Sequence, residues 1–265
     1  MVFVLLGLLS LIVQPVYADK QETSAYEFGV FPHMPSNKLF QVYQPIAEDF
    51  QQLLNRPVVL LTKPSYKAFQ QGLAEQRYDI AFVQPFDYIT AHDQYQYLPI
   101  ARRGVPLRTI IVARKESPLN SIDDLKGRKL QMLSASAAVS RVAEKSLQTA
   151  GFNLLKDLTI ERSKNHFTCM QRVLISEADT CVTARRALVH FESVKMKDKF
   201  RIIYEAPPIP HALFIVHSRV PVKERDRLQE RILAWPEIPK GQQLLRNGNI
   251  TNFSAAVDAE YDVLR

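Results

Sequence analysis

The strongest constraint on this chain is a regular alternation near its start, in which short apolar runs give way three times to stretches with helical spacing. Residues 26–31 read as a strand that ends at Pro32, and Pro35-Ser36-Asn37 caps a predicted helix over 38–54. Its apolar residues Leu39, Phe40, Tyr43, Ile46, Phe50, Leu53 and Leu54 recur on one face. A second strand is expected over 58–61, and Ser65-Tyr66 starts a second helix carrying Ala68, Phe69, Leu73 and Ala74. A third strand over 78–83 closes at Gln84-Pro85, where proline suits the first turn of the helix holding Tyr88 and Ile89. This order implies a doubly wound α/β sheet, in which ligands sit beyond the carboxyl ends of the strands.

The pattern then starts again. A β-rich run covers 107–113, a capped short helix 121–127 and a strand 128–133, which feeds a helix running to about Gly151. A weak strand at 158–161, a loop at 163–166 and a helix at 167–176 follow. Asp179 leads a short strand after a helix, as Asp79 does, which implies a second lobe built like the first; both aspartates read as structural. Strands at 201–205 and 212–216 flank the stiff segment Ala206-Pro207-Pro208-Ile209-Pro210, and the tail reads as helical over 222–246 and 254–264. The expected division is 19–112 with 209–265 as the first lobe and 113–208 as the second. Two crossings between two lobes make a hinge.

Residues 1–18 form an apolar run ending in a small-residue site, Val16-Tyr17-Ala18, and read as a secretory signal. No basic residue precedes that run, so an uncleaved tether is the other reading. The whole excess of 34 basic over 27 acidic residues lies beyond it. That balance draws small anions, but the basic residues are scattered and speak against nucleic acid. Cys169 and Cys181 would sit in a compartment that permits disulfides; two separate buried thiols are favoured over a bridge, since nothing in the sequence brings them together. No zinc, calcium or P-loop spacing occurs, and no metal or other cofactor is expected.

The stretch Leu133-Ser134-Ala135-Ser136 ends a strand and opens a helix, so its serines read either as a plain cap or as part of an anion cradle. Gln84 and Thr183 lie at strand ends facing the same edge and are candidate lining residues.

Taken with Tyr78-Asp79-Ile80-Ala81-Phe82, Ile111 to Pro118, Asp124-Leu125-Lys126-Gly127, Glu177-Ala178-Asp179 and the proline-rich crossing, the chain resembles a known family. It is similar to the periplasmic substrate-binding proteins of phosphate, phosphite and phosphonate uptake systems. The resemblance implies a type II two-lobed α/β fold, each lobe a mixed sheet flanked by helices, joined by a two-segment hinge. It also implies an oxyanion held by a Ser-Thr-Ser at a helix start, a histidine and tyrosines. Ser134 and Ser136 match the serines with Ala135 in place of threonine, His166 matches the histidine, and Tyr66 matches one tyrosine. Hydroxyls and imidazole N–H groups are donors, and a tetrahedral oxyanion is all acceptor.

The second tyrosine is replaced by Leu107 beside Arg108, and the two carboxylates that hold an amine-bearing ligand fall on Arg186 and Ala212. The expected ligand is therefore phosphate, phosphite, a simple phosphonate or another small anion, with Arg186 or Arg185 adding a guanidinium clamp. Each residue has a plainer reading: Arg108, Arg185 and Arg186 as solvated charges, His166 as a loop histidine, Tyr66 as a packing aromatic. The implied protein is a periplasmic monomer that is not an enzyme and hands its ligand to the permease of an ABC transporter. A partner of a membrane histidine kinase or cyclase is the alternative. A transferase on the same fold is the more distant one, since no nucleophile elbow or His-Glu-x-x-His occurs.

Overall fold

The computed structural model describes residues 24–188 and 197–265; the proposed signal segment lies outside them. Two sheets form. The first contains β1 (Tyr26–Val30), β2 (Val58–Leu61), β3 (Ile80–Val83), β4 (Tyr97–Arg103), β10 (Leu213–His217) and β11 (Phe253–Ala255), in the order β11-β4-β10-β3-β1-β2. The second contains β5 (Thr109–Arg114), β6 (Arg128–Met132), β7 (Leu158–Arg162), β8 (Thr180–Ala184) and β9 (Phe200–Glu205), in the order β7-β6-β8-β5-β9. Both are mixed: β1 pairs in parallel with β2 and β3, while β10 runs antiparallel to β3 and β4. In the second, β6 is parallel to β7 and β8, and β5 is antiparallel to β8 and β9.

Helices α1 (Ser36–Leu54), α2 (Tyr66–Ala74) and α3 (Pro85–Tyr95) follow the first three strands. The second lobe carries α4 (Ala138–Thr149) and α5 (His166–Leu174), and α6 (Val222–Ala234) and α7 (Pro239–Asn247) return to the first. Buried Leu39, Tyr43, Ile46 and Phe50 hold α1 to its sheet, whereas Phe40, counted with them from sequence, is exposed. The start of α1 has no side-chain cap, contrary to the reading of Ser36 and Asn37.

Both lobes use one local device. The Asp79 carboxylate accepts from the Glu27 N–H at 2.8 Å while its own N–H donates to the Glu27 carbonyl at 2.9 Å. Asp179 does the same with Lys129, at 2.8 and 3.0 Å. Each carboxylate thereby satisfies a strand-edge amide and fixes where two parallel strands start. Asp79 also accepts from Arg219 Nε at 2.7 Å. The side-chain caps match as well: Ser65 accepts from Ala68 N–H at 3.2 Å and Asn165 from Thr168 N–H at 2.9 Å.

Several boundaries differ from expectation. All of β5 lies in the second sheet, so the first crossing falls at 104–108 and not after 112. An apolar run such as Ile110-Ile111-Val112 suits either sheet's interior, and only tertiary pairing decides between them. The second crossing spans 206–212, and the two segments pair where Leu107 and Ile209 exchange N–H to carbonyl bonds of 2.8 and 3.1 Å. Strand β4 escaped notice because Pro99 interrupts it and two arginines end it. The tail is not two helices: a turn at Trp235–Glu237 separates α6 from α7, β11 adds an edge strand, and the chain ends in 3-10 turns over Asp258–Leu264. Cys169 and Cys181 form a disulfide, contrary to the expectation of separate thiols. Asn165 caps α5 so that Cys169 faces β8, and the two Cα atoms come within 5.7 Å, inside bridging range.

Candidate functional site

Helix starts from both lobes converge on the cleft between the sheets, as the topology requires. They enclose a cavity of about 540 Å³ lined by both lobes and by Leu107, His211 and Ala212 of the crossings. Its charged lining residues are Lys38, Arg103 and Arg186; no Asp or Glu is among the described residues that line it. The site is built for negative charge.

Arg103, at the end of β4, is its least expected member. Neighbouring Arg102 points the other way and grips Glu260 with contacts of 2.7 to 3.1 Å. Alternation along the strand turns Arg103 inward. There its Nε is buried without a hydrogen-bond partner, and no carboxylate among the described residues pairs with it. Burial and then the nearby Arg186 charge, against an opposing effect of Tyr43, pull its pKa below the usual value; a guanidinium still stays charged at neutral pH.

Three histidines surround this charge. His33 Nδ1 lies 2.9 Å from the Phe31 carbonyl, which can only accept, so the proton sits on Nδ1. Nε2 then accepts from the Tyr43 hydroxyl at 3.4 Å. Burial drives the His33 pKa down to about 3, with Arg103 and His166 reinforcing it against the Phe31 hydrogen bond, so the ring is neutral. His211 Nδ1 accepts the Ala212 N–H at 2.7 Å, which puts its proton on Nε2. Its pKa is lowered well below the usual range by burial and then by Arg103. His166, the first residue of α5, is set by Thr183, whose hydroxyl lies 2.8 Å from Nδ1, and by the Ala184 N–H at 3.4 Å. Two donors on Nδ1 assign the ring proton to Nε2. Tyr66, at the start of α2, is held protonated because burial and then the Asp87 charge raise its pKa.

Of the residues singled out from sequence, Tyr66, Gln84, His166 and Arg186 line the cavity. Ser134, Ser136, Arg108 and Thr183 do not. Thr183 stands behind His166 and orients it. Arg108 points to the surface and pairs with Glu205 at 3.0 Å, and Arg185 engages the same carboxylate. The serine stretch fails as a cap too: α4 begins after Ala137 with no side-chain bond, and the two hydroxyls lie 3.1 Å from each other. Gln84 takes their place from across the cleft. Its Oε1 accepts the Ala138 N–H at 2.7 Å and its Nε2 donates to the Ser136 carbonyl at 2.6 Å. Arg141 of α4 stacks on Phe86 of α3 at 3.9 Å, and Arg186 reaches the Asn249 carbonyl and, at 3.1 Å, its side chain. All three contacts join one lobe to the other.

Arg103, His33, His211 and Asn165 were not foreseen. His33 follows a strand end, so the rule that located the site covered it; Arg103 was hidden with β4, and His211 in a crossing read only as a spacer.

Two lobes, two crossings and an anion-seeking cleft between them define a type II periplasmic binding protein. The family described as "ABC transporter, phosphonate, periplasmic substrate-binding protein" matches residues 28–261, and the chain belongs to it. The phosphonates-binding periplasmic protein of Escherichia coli (strain K12) is 21% identical over 277 residues, covering 97% of this chain and 79% of that one. Among solved structures, PhnD1 from Prochlorococcus marinus in complex with methylphosphonate aligns with a TM-score of 0.83 at 16% identity, covering 91% of this chain and 95% of that one. The binding protein component of an ABC phosphonate transporter from Pseudomonas aeruginosa aligns with a TM-score of 0.79 at 17% identity, covering 91% and 84%. These structural likenesses carry the fold.

Proposed function

We propose that this chain captures a phosphonate-type oxyanion between its lobes in the periplasm and presents the closed complex to the permease of an ABC transporter. The observation that carries this reading is the half-buried Arg103, whose buried Nε has no hydrogen-bond partner, in a cavity with no carboxylate among the described residues that line it. An Nε–H buried without a partner on a half-buried guanidinium is costly, and an anionic ligand supplies the missing acceptor. Arg186, the Tyr66 hydroxyl and the Nε2–H groups of His166 and His211 add donors from both lobes. A ligand touching both lobes favours the closed form by its differential affinity for the two states, so binding is read out as hinge closure. The chemistry is retention, with no bond made or broken.

Calorimetric titration with methylphosphonate, phosphite, phosphate, sulfate and aminoethylphosphonate tests it. Methylphosphonate is expected to bind with a dissociation constant in the micromolar range or below. Aminoethylphosphonate is expected to bind more weakly, because no carboxylate among the described lining residues receives its ammonium group. Absence of binding by every member at millimolar concentration overturns the reading.

A further inference from the structure

Much of the cavity's lining is apolar. Phe31 stacks on His33 with centroids 4.4 Å apart and lies 5.8 Å from Phe82 and 6.1 Å from Tyr66, forming one continuous wall. Leu107, Leu133 and Val139 extend it into the hinge and the second lobe. Neutral His33 adds no charge to that wall. The volume, about 540 Å³, falls within the range that buries a drug-sized ligand, and an anion as small as methylphosphonate leaves most of it unfilled.

The place for the charged head is also restricted. The amide at the start of α4, where the resemblance put the oxyanion, is engaged by Gln84, and the hydroxyls of Ser134 and Ser136 lie within hydrogen-bond range of each other. Arg186 already bonds Asn249. Arg103 keeps an unused buried donor. It lines the same cavity as His33, His211, Phe31 and Phe82, so cation and aromatic wall share one space.

Resting on the capture of an oxyanion argued above, we propose that the cognate ligand is an organic oxyanion with an apolar body. Its phosphonate or sulfonate head pairs with Arg103 beside His211, and its alkyl or aryl body lies against Phe31, Phe82 and Leu133. The apolar wall selects against free phosphate, which brings nothing to cover it, and the absence of carboxylates among the described lining residues selects against amine-bearing bodies.

The test is titration of the mature protein with methyl-, propyl- and hexylphosphonate and the matching sulfonates. Each buried methylene is worth up to about fourfold in affinity, so hexylphosphonate is expected to bind at least about 30-fold more tightly than methylphosphonate. The sulfonate arm identifies the head: the series with the tighter members carries the cognate one. Methylphosphonate binding as tightly as hexylphosphonate overturns the apolar body while leaving oxyanion capture standing; no binding by either series overturns both. For the head, Arg103→Met is expected to weaken hexylphosphonate about 100-fold, and the pair Ser134→Ala with Ser136→Ala to change it less than about threefold. A larger loss from the serine pair than from Arg103→Met overturns the placement. Because Arg103 is half-buried, Arg103→Lys is measured alongside. It keeps the charge but not the planar fork, and an intermediate affinity at an unchanged melting temperature is expected.

Discussion

The two lobes share a plan and differ in what fills them. Every one of the largest fully buried side chains, among them Trp235, Tyr43, Phe28, Phe50, Phe82 and Phe214, belongs to the first lobe. Their rings pack edge-on or tilted, as Phe82 does on Phe214 at 4.9 Å and Phe28 on Phe50 at 5.6 Å. Among the described residues the second lobe buries no aromatic ring completely; its core is Ile110, Ile111, Leu130, Met132, Leu147 and Met170, with Cys169 and Cys181 bonded between α5 and β8. Aromatic rings bury much area per ordered residue, and a lobe without them gains order from a covalent link instead. The difference reaches the site. His33 is held by a cluster of rings, whereas His166 is held by a helix whose next turn is tied to the strand carrying Thr183.

The comparison breaks most sharply at Trp235. Its ring is fully buried and its N–H donates to Asp49 Oδ2 at 3.0 Å, so Trp235→Ala should cost about 3–5 kcal/mol in denaturant unfolding. A larger loss from Leu147→Ala in the second lobe would show that the rings are not what distinguishes the first.

Next comes the disulfide. It closes a short loop, with a sequence separation of 12, and replacing both cysteines by alanine should cost about 2–4 kcal/mol. The same change should weaken ligand binding through loss of His166 alignment, and treatment of the native protein with dithiothreitol should reproduce both effects. If reduction leaves unfolding and binding unaltered, the second lobe is held by its aliphatic core alone.

The smallest effect concerns a carboxyl found behind the first lobe's part of the site. Burial pushes the Asp87 pKa up to about 6, despite the hydrogen bond from Gln70 at 2.8 Å that favours the ionised form; counting from Asp79 and Asp179, the matching position in the second lobe is Ala187. A folded-state value above the unfolded one, about 3.9, means that the native state holds the proton longer. Stability therefore falls as pH rises from about 4 to about 6, and the penalty is complete at pH 7. Asp87→Asn should raise stability at pH 7 by about 1–2 kcal/mol and flatten that part of the pH profile. An unchanged slope would mean that the group ionises without cost.

Much of this was legible in the chain. Helical spacing after each strand located α1, α2, α3 and α5, and the repeated Asp79 and Asp179 announced the second lobe before any contact was known. Gln84 was singled out because it ends a strand at the expected binding edge, and Tyr66, His166 and Arg186 because of the family resemblance; all four line the cavity. What stayed hidden depends on distance in sequence. Strand β10 pairs with β3 and β4 although more than a hundred residues separate them, and no local pattern announces that pairing. Arg103 looks like any surface arginine until its strand is known, and Ser134 looks like a cap until Gln84 arrives from the other lobe. The disulfide was unreadable for the same reason.

Gln84 matters beyond its place in the lining. Its paired bonds to Ser136 and Ala138 are made only when the lobes meet, so they lower the free energy of that arrangement whatever lies in the cleft. The affinity measured for a ligand is its intrinsic affinity scaled by the fraction of molecules already competent to hold it. Gln84 thus acts as a gain control: it multiplies the strength of every ligand by a common factor and leaves their ranking to Arg103 and the aromatic wall.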